Sequence, residues 1–220
     1  MYMIVIIGEG FMPAPAADWA SIATTVPLLV HLPDAARTRS QVRVLDAGAV
    51  LFRRGATPQA MYAVLDGEIR LLRVTSRGAE VVLQRARAGF LAEASLDQTA
   101  YHCDAIASAD SEILVIPLAA FRTALADAAF QQAWMAHLAR ELRNVRAIAE
   151  RASLRTARER VIHYIETEGR GGAFAMTQSK KDWAAELGLT HEALYRELAR
   201  MQRHGELAIT GRKLRLTGSG

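Results

Sequence analysis

The stretch Ser179-Lys-Lys-Asp182-Trp-Ala-Ala-Glu-Leu187-Gly188-Leu-Thr190-His-Glu192-Ala-Leu-Tyr195-Arg196-Glu-Leu198-Ala-Arg200 decides how this chain is read. Ser179 followed three residues later by Asp182 is a capping-box pattern with Asp in place of the usual Glu or Gln, and it opens a short helix that runs to Leu187. Gly188 makes the turn, Thr190 caps the next helix, and Gly205 ends that helix after His204. Along this second helix Leu194, Leu198 and Met201 share one face, which must be buried. His191, Glu192, Tyr195, Arg196 and Arg200 share the other. Upstream, Arg158–Glu168 has helical spacing and is closed by the turn Gly169-Arg-Gly-Gly172. Downstream, Ala208–Leu216 alternates around Thr210-Gly211 as a small hairpin with Arg212 and Lys213 at its tip. Helix, glycine turn, capped second helix and hairpin describe a winged helix-turn-helix.

Charge is distributed to match. The 220-residue chain carries 27 Lys/Arg against 23 Asp/Glu, a net charge of +4. Residues 1–154 hold 15 of each sign, so the whole excess lies in residues 155–220, with 12 basic and 8 acidic side chains. A neutral body with a basic C-terminal piece suggests a nucleic-acid-binding end, and with a winged helix-turn-helix the expected partner is double-stranded DNA. The residue types fit defined tasks. An arginine such as Arg196 can fork onto guanine O6 and N7, and Glu192 can accept from cytosine N4. Ser179, Lys180, Thr190 and Arg200 suit phosphates, which position without specifying, and Arg212 and Lys213 suit the backbone beside a wing.

Working toward the N-terminus, residues 118–154 contain no Gly and no Pro. Trp134, Leu138, Leu142, Val145, Ala149 and Ala152 recur with a period near 3.5, the seam of a coiled-coil dimer helix. A helix lying on its own domain gives the same spacing. Arg140, Arg143, Glu150 and Arg151 fall on the opposite, solvent-facing side. Residues 41–117 differ in character. Val42, Val44, Met61–Leu65, Ile69–Val74, Val81–Leu83 and Ile113–Ile116 are strand-sized runs between turn signals such as Asp66-Gly67 and Ala88-Gly89. That rhythm predicts an antiparallel sandwich or barrel. Residues 1–40 are broken by Pro13, Pro15, Pro27 and Pro33, with one or two helical turns at Asp18–Ala23. The expected α+β chain is therefore a sandwich domain over 1–117, a dimerisation helix over 118–154 and a winged helix-turn-helix over 155–220.

The order and motifs resemble the Crp/Fnr family of bacterial transcription regulators. The N-terminal motif is Leu51-Phe-Arg-Arg-Gly55…Met61-Tyr-Ala-Val-Leu-Asp-Gly67-Glu-Ile-Arg-Leu71, followed by Arg77-Gly78 and Gly89-Phe-Leu-Ala-Glu93. The C-terminal motif is Lys181–Leu198, within the stretch quoted above. The resemblance implies a jelly-roll of the cyclic-nucleotide-binding type, a homodimer, a near-palindromic operator and RNA polymerase as a further partner. It implies base reading by Glu192 and Arg196, with His191 at a variable position beside them, and a hinge at Ser153–Thr156.

The effector segment departs from the family's cyclic-AMP pattern. Glu93, the ribose-type acceptor, is kept, but Cys103 stands where the phosphate-binding Arg belongs and Asp104 where the Ser belongs. A carboxylate repels a phosphate diester and the bidentate Arg contact is lost, so cyclic AMP is not the expected effector. The adenine-reading pair falls near Val145-Arg146. Three readings of His102-Cys103 stand together: a buried small Cys beside a surface His, a copper or zinc ligand pair, and a redox-sensing thiol. A haem or other apolar ligand between sandwich and dimer helix is a further reading, with His137 or His163 as candidate ligands. One cysteine cannot bind an iron–sulfur cluster or form an internal disulfide. A sensor acting through a protein partner is the rival reading of function. An enzyme is not expected, for there is no metal triad, nucleophile elbow or phosphate loop. No apolar run approaches a membrane span, and the apolar start Met1–Ile7 lacks the basic opening of a signal peptide, so a cytoplasmic protein is expected.

Overall fold

The computed structural model describes residues 17–75, 78, 80–176 and 179–217. Pro13, Pro15, the start Met1–Ile7, Ser76 and Arg77 of the N-terminal motif lie outside the described residues. The chain divides into two compact units, Met1–His137 and Leu138–Gly220.

In the first unit, Asp18 caps α1 (Trp19–Thr25), its carboxylate accepting from the amides of Ala20 and Ser21 at 3.1 and 3.3 Å. After the short α2 (Asp34–Arg37), the strands β1 (Gln41–Leu45), β2 (Val50–Phe52), β3 (Ala60–Asp66), β4 (Ile69–Val74), β5 (Glu80–Ala86), β6 (Gly89–Leu91), β7 (Asp104–Ala107) and β8 (Ser111–Pro117) follow. They form two antiparallel four-stranded sheets, ordered β1-β8-β3-β6 and β2-β7-β4-β5. The apolar runs of β3 and β8 are continuous because both faces of their sheet are buried. Met61, Ala63, Leu114 and Ile116 face a core built with the helices, while Tyr62, Val64, Ile113 and Val115 face the core between the sheets. Gly67 turns β3 into β4 at φ +84°, and a Cβ there would lie 2.3 Å from the Asp110 carbonyl oxygen, so only glycine fits.

Residues 118–154 are not one helix. α3 (Leu118–Ala124) stops and α4 (Ala128–Ser153) restarts, with the Asp127 carboxylate accepting from the Phe130 amide at 2.9 Å. The break turns Phe121 and Phe130 into edge-to-face contact at 5.5 Å, both fully buried. Neither Gly nor Pro marks it; a cap and two aromatic anchors do.

In the second unit, the end of α4 is followed by α5 (Ala157–Glu168), β9 (Ala173–Ala175), α6 (Lys180–Glu186), α7 (His191–Arg203), β10 (Leu207–Thr210) and β11 (Lys213–Leu216). A full capping box starts α5: the Glu159 amide donates to the Thr156 hydroxyl at 3.1 Å, and the Glu159 carboxylate accepts from the Thr156 amide at 2.9 Å. Val161, Ile165, Trp183, Leu194, Leu198 and Met201 form one core beneath a three-stranded antiparallel sheet ordered β10-β11-β9. This is a winged helix-turn-helix. β9 was not expected, since Ala-Phe-Ala is too short and too poor in β-branched residues to read as a strand; pairing with β11 makes it one.

Candidate nucleic-acid interface and sensor segment

Two caps orient the helix-turn-helix. Ser179 accepts from the Asp182 amide at 3.1 Å and donates its hydroxyl proton to the Asp182 carboxylate at 2.8 Å. Thr190 accepts from the Ala193 amide at 3.1 Å, which fixes the register at which α7 begins. With Leu194, Leu198 and Met201 buried, His191, Glu192, Tyr195 and Arg196 are exposed together along one face. The carboxyl of Glu192 is held below the usual carboxylate range by a hydrogen bond from its own amide at the helix start, and then by the Thr190 hydroxyl. Tyr195 is 45% exposed; its ring meets His191 at 4.4 Å and carries the Lys180 ammonium at 4.6 Å. Lys180, His191 and Tyr195 thus meet on one surface.

Arg200 differs from its expected role. Its guanidinium donates to Glu197 at 2.7 Å and lies 3.4 Å from Glu206, so its charge is compensated inside the domain. An i,i+3 carboxylate was readable in the sequence, but Glu206 arrives only through the turn after α7. Arg212 and Lys213 occupy the β10–β11 tip, where Arg212 Nε donates to the Met176 carbonyl at 2.7 Å and Lys213 is exposed.

On α4, Leu138, Leu142 and Val145 are 37%, 51% and 60% exposed, and Ala149 and Ala152 are exposed with them. Trp134 is not part of that face. It is 3% exposed and edge-on to Phe90 at 5.0 Å and Phe121 at 4.8 Å, because the first turns of α4 lie on the sandwich's own core. The exposed seam instead gains Met135. Arg151, read from the sequence as solvent-facing, is buried.

The sensor segment is scattered rather than convergent. Glu93 meets His137 at 2.9 Å, so the acceptor carboxylate is already engaged by the chain's own helix. Ala92, beside Glu93, sits at φ 62°, a left-handed conformation that a Cβ disfavours. His102 is exposed whereas Cys103 is fully buried in the inter-sheet core. Asp104 accepts from the Arg54 amide at 2.8 Å. Beside them Tyr101 stacks on Phe52 at 3.7 Å, and burial, then the neighbouring Tyr62, pushes the Tyr101 phenol up. Val145 and Arg146 are exposed on α4 in the second unit. Among the described residues no group of three or more His, Cys, Asp or Glu side chains could hold a metal ion. Nor is any helix among them long and apolar enough to cross a membrane. Both histidines named for a haem already meet other side chains: His137 Nε2 lies 2.9 Å from Glu93, and His163 Nδ1 accepts from Arg151 Nε at 3.5 Å.

Burial raises the Cys103 thiol; Arg73 opposes the shift and Asp104 adds to it. The folded protein is therefore expected to react with a thiol reagent at neutral pH at least about 100-fold more slowly than the unfolded chain. Stoichiometric labelling of native protein within minutes would restore the redox reading.

Residues 42–128 match the cyclic nucleotide-binding domain family. The match to this domain spans the sandwich, α3 and the first residue of α4. No curated protein is similar to the chain in sequence. Among solved structures, a Ruegeria pomeroyi protein assigned to cyclic nucleotide binding is 25% identical, covering 90% of this chain and 92% of its own, with a TM-score of 0.55. The c-di-GMP-responsive global regulator CLP of Xanthomonas campestris is 20% identical over 90% of this chain and all (100%) of its own, with a TM-score of 0.53. A transcriptional regulator of the CRP/FNR family from Thermus thermophilus is 20% identical over 81% and 94%, with a TM-score of 0.51. These are likenesses of fold.

Proposed function

We propose that the chain is a homodimeric, sequence-specific DNA-binding transcription regulator of the Crp/Fnr type, not an enzyme, acting in the cytoplasm with RNA polymerase as a further partner. The observation that carries this reading is α7. A helix capped by Thr190 buries three apolar residues and exposes His191, Glu192, Tyr195 and Arg196 beside a basic wing tip. Dimerisation is supported by the exposed seam Leu138, Leu142, Val145, Ala149 and Ala152, whose 4, 3, 4, 3 spacing suits a coiled-coil partner helix. Within this reading, 1–117 senses, 118–154 dimerises and 155–220 binds DNA. A twofold dimer requires a near-palindromic site with half-sites about one helical turn, roughly 34 Å, apart.

The effector is not cyclic AMP on this reading. On the alignment that the family resemblance implies, Cys103 and Asp104 stand where a phosphate needs an arginine and a hydroxyl, and Glu93 is engaged by His137. Metal or redox sensing through His102 and Cys103 draws no support from a geometry that exposes one and buries the other.

Selection of bound duplexes from a randomised pool, with reduced and chelated protein and no effector, tests the proposal. The expected result is enrichment of a palindrome. Failure to enrich any motif, whether alone or with cyclic AMP, copper, zinc or an oxidant added, would overturn it in favour of a sensor that works through a protein partner.

A further inference from the structure

Arg151 is a charged side chain in the last turn of α4 and only 3% exposed. A buried guanidinium persists only where its charge and donors are met. Here they are met from α5. Nη2 donates to the Glu168 carboxylate at 3.1 Å and to the Thr167 hydroxyl at 3.4 Å, and Nε donates to His163 Nδ1 at 3.5 Å. The guanidinium carbon lies over Tyr164, 4.4 Å from the ring centroid. Two neighbours extend the contact: His163 Nε2 is 3.1 Å from Glu150, one residue before Arg151, and the Tyr164 hydroxyl donates to Glu186 of α6 at 2.8 Å.

The link between α4 and α5 is braced independently. Arg160 donates to the Leu154 carbonyl and, with its other end, to the carbonyls of Leu187 and Gly188 in the helix-turn-helix turn, each at 3.1 Å. Glu159 accepts from the amides of Arg155 and Thr156 at 3.1 and 2.9 Å. Every one of these residues lies in Leu138–Gly220, the compact unit that takes in the last sixteen residues of α4.

We infer that Arg151 is a positioning residue: it joins α4 to α5 so that Leu138–Ser153 and the winged helix form one rigid piece. The direction in which α7 is presented is then set by the seam of α4, through a braced Ser153–Thr156 segment. The inference rests on the proposed DNA-binding function for its consequence, but its structural half is testable without DNA.

The test uses the full-length protein with Arg151→Met, which keeps a long apolar stem and removes charge and donors, and Glu168→Gln, which removes the charge partner alone. Hydrogen exchange is followed at Leu154–Glu159 and at β11. The expected result is exchange at least about tenfold faster in the linker with β11 unchanged, the mark of a local opening rather than global loss of structure. The selected palindrome is then re-spaced by one and two base pairs. Wild type should prefer one spacing at least about tenfold; Arg151→Met should flatten that preference while binding a single half-site within about twofold of wild type. A folded Arg151→Met protein with unchanged linker exchange and an unchanged spacing profile would overturn the inference. If Arg151→Met does not fold, Glu168→Gln is read by the same criteria. If no DNA sequence is selected by any variant or wild type, the proposed function fails, and the exchange result alone then decides the role of Arg151.

Discussion

Trp134→Ala is expected to destabilise the first unit by about 3–5 kcal/mol, the range for removing a large aromatic side chain from a packed core. Its indole is wedged between Phe90 and Phe121 in edge-to-face geometry and lies 5.1 Å from His137, so truncation leaves a cavity that three other rings cannot fill without losing their own contacts. Leu142→Ala, two turns further along α4, is expected to do the reverse. Its side chain is already exposed in a single chain, so the folded chain should lose less than about 1 kcal/mol while self-association weakens. Urea unfolding followed by circular dichroism, beside sedimentation equilibrium, separates the two. Should Trp134→Ala leave the unfolding midpoint in place and instead weaken self-association, the indole would belong to the seam after all.

The second large effect is expected at Arg196. Its substitution by alanine should cost about 1–3 kcal/mol against the preferred base at one position of each half-site and little against the other bases there. The reason is geometric: Arg196 is exposed on the same face as Glu192 and Tyr195, with a planar donor fork suited to one purine edge. Arg200→Ala provides the contrast. The Arg200 side chain is held by Glu197 and Glu206, so its removal should change the stability of the winged helix more than base preference. Competition binding with operators altered one position at a time gives the answer. Equal losses for Arg196→Ala at every position would assign it to the phosphates instead.

Both expectations depend on distinctions that spacing alone does not make. Trp134 and Leu138 are one step apart in the same heptad pattern, yet one is core and the other is exposed. Periodicity reports that a face is apolar and says nothing of what covers it. Arg151 shares the polar side of α4 with Arg140 and Arg143 in projection, but α5 folds over it and the others stay in solvent. Arg200 was readable as a basic residue on a basic helix, and only the chain reversal at Gly205 brings Glu206 to it.

What the sequence by itself determined is the part whose causes are local. The caps at Ser179 and Thr190, the glycine turn at Gly188, the buried triad of α7 and the turn-punctuated strands of the sandwich are encoded within a few residues of where they act. From these the order of sandwich, long helix and winged helix followed. Tertiary structure alone decided that Ala173–Ala175 is a strand, that Glu93 is taken by His137, and that Arg151 is buried. Each of these results from contact between segments distant in sequence. Such contacts depend on which surfaces meet after the elements form, and no residue spacing records that.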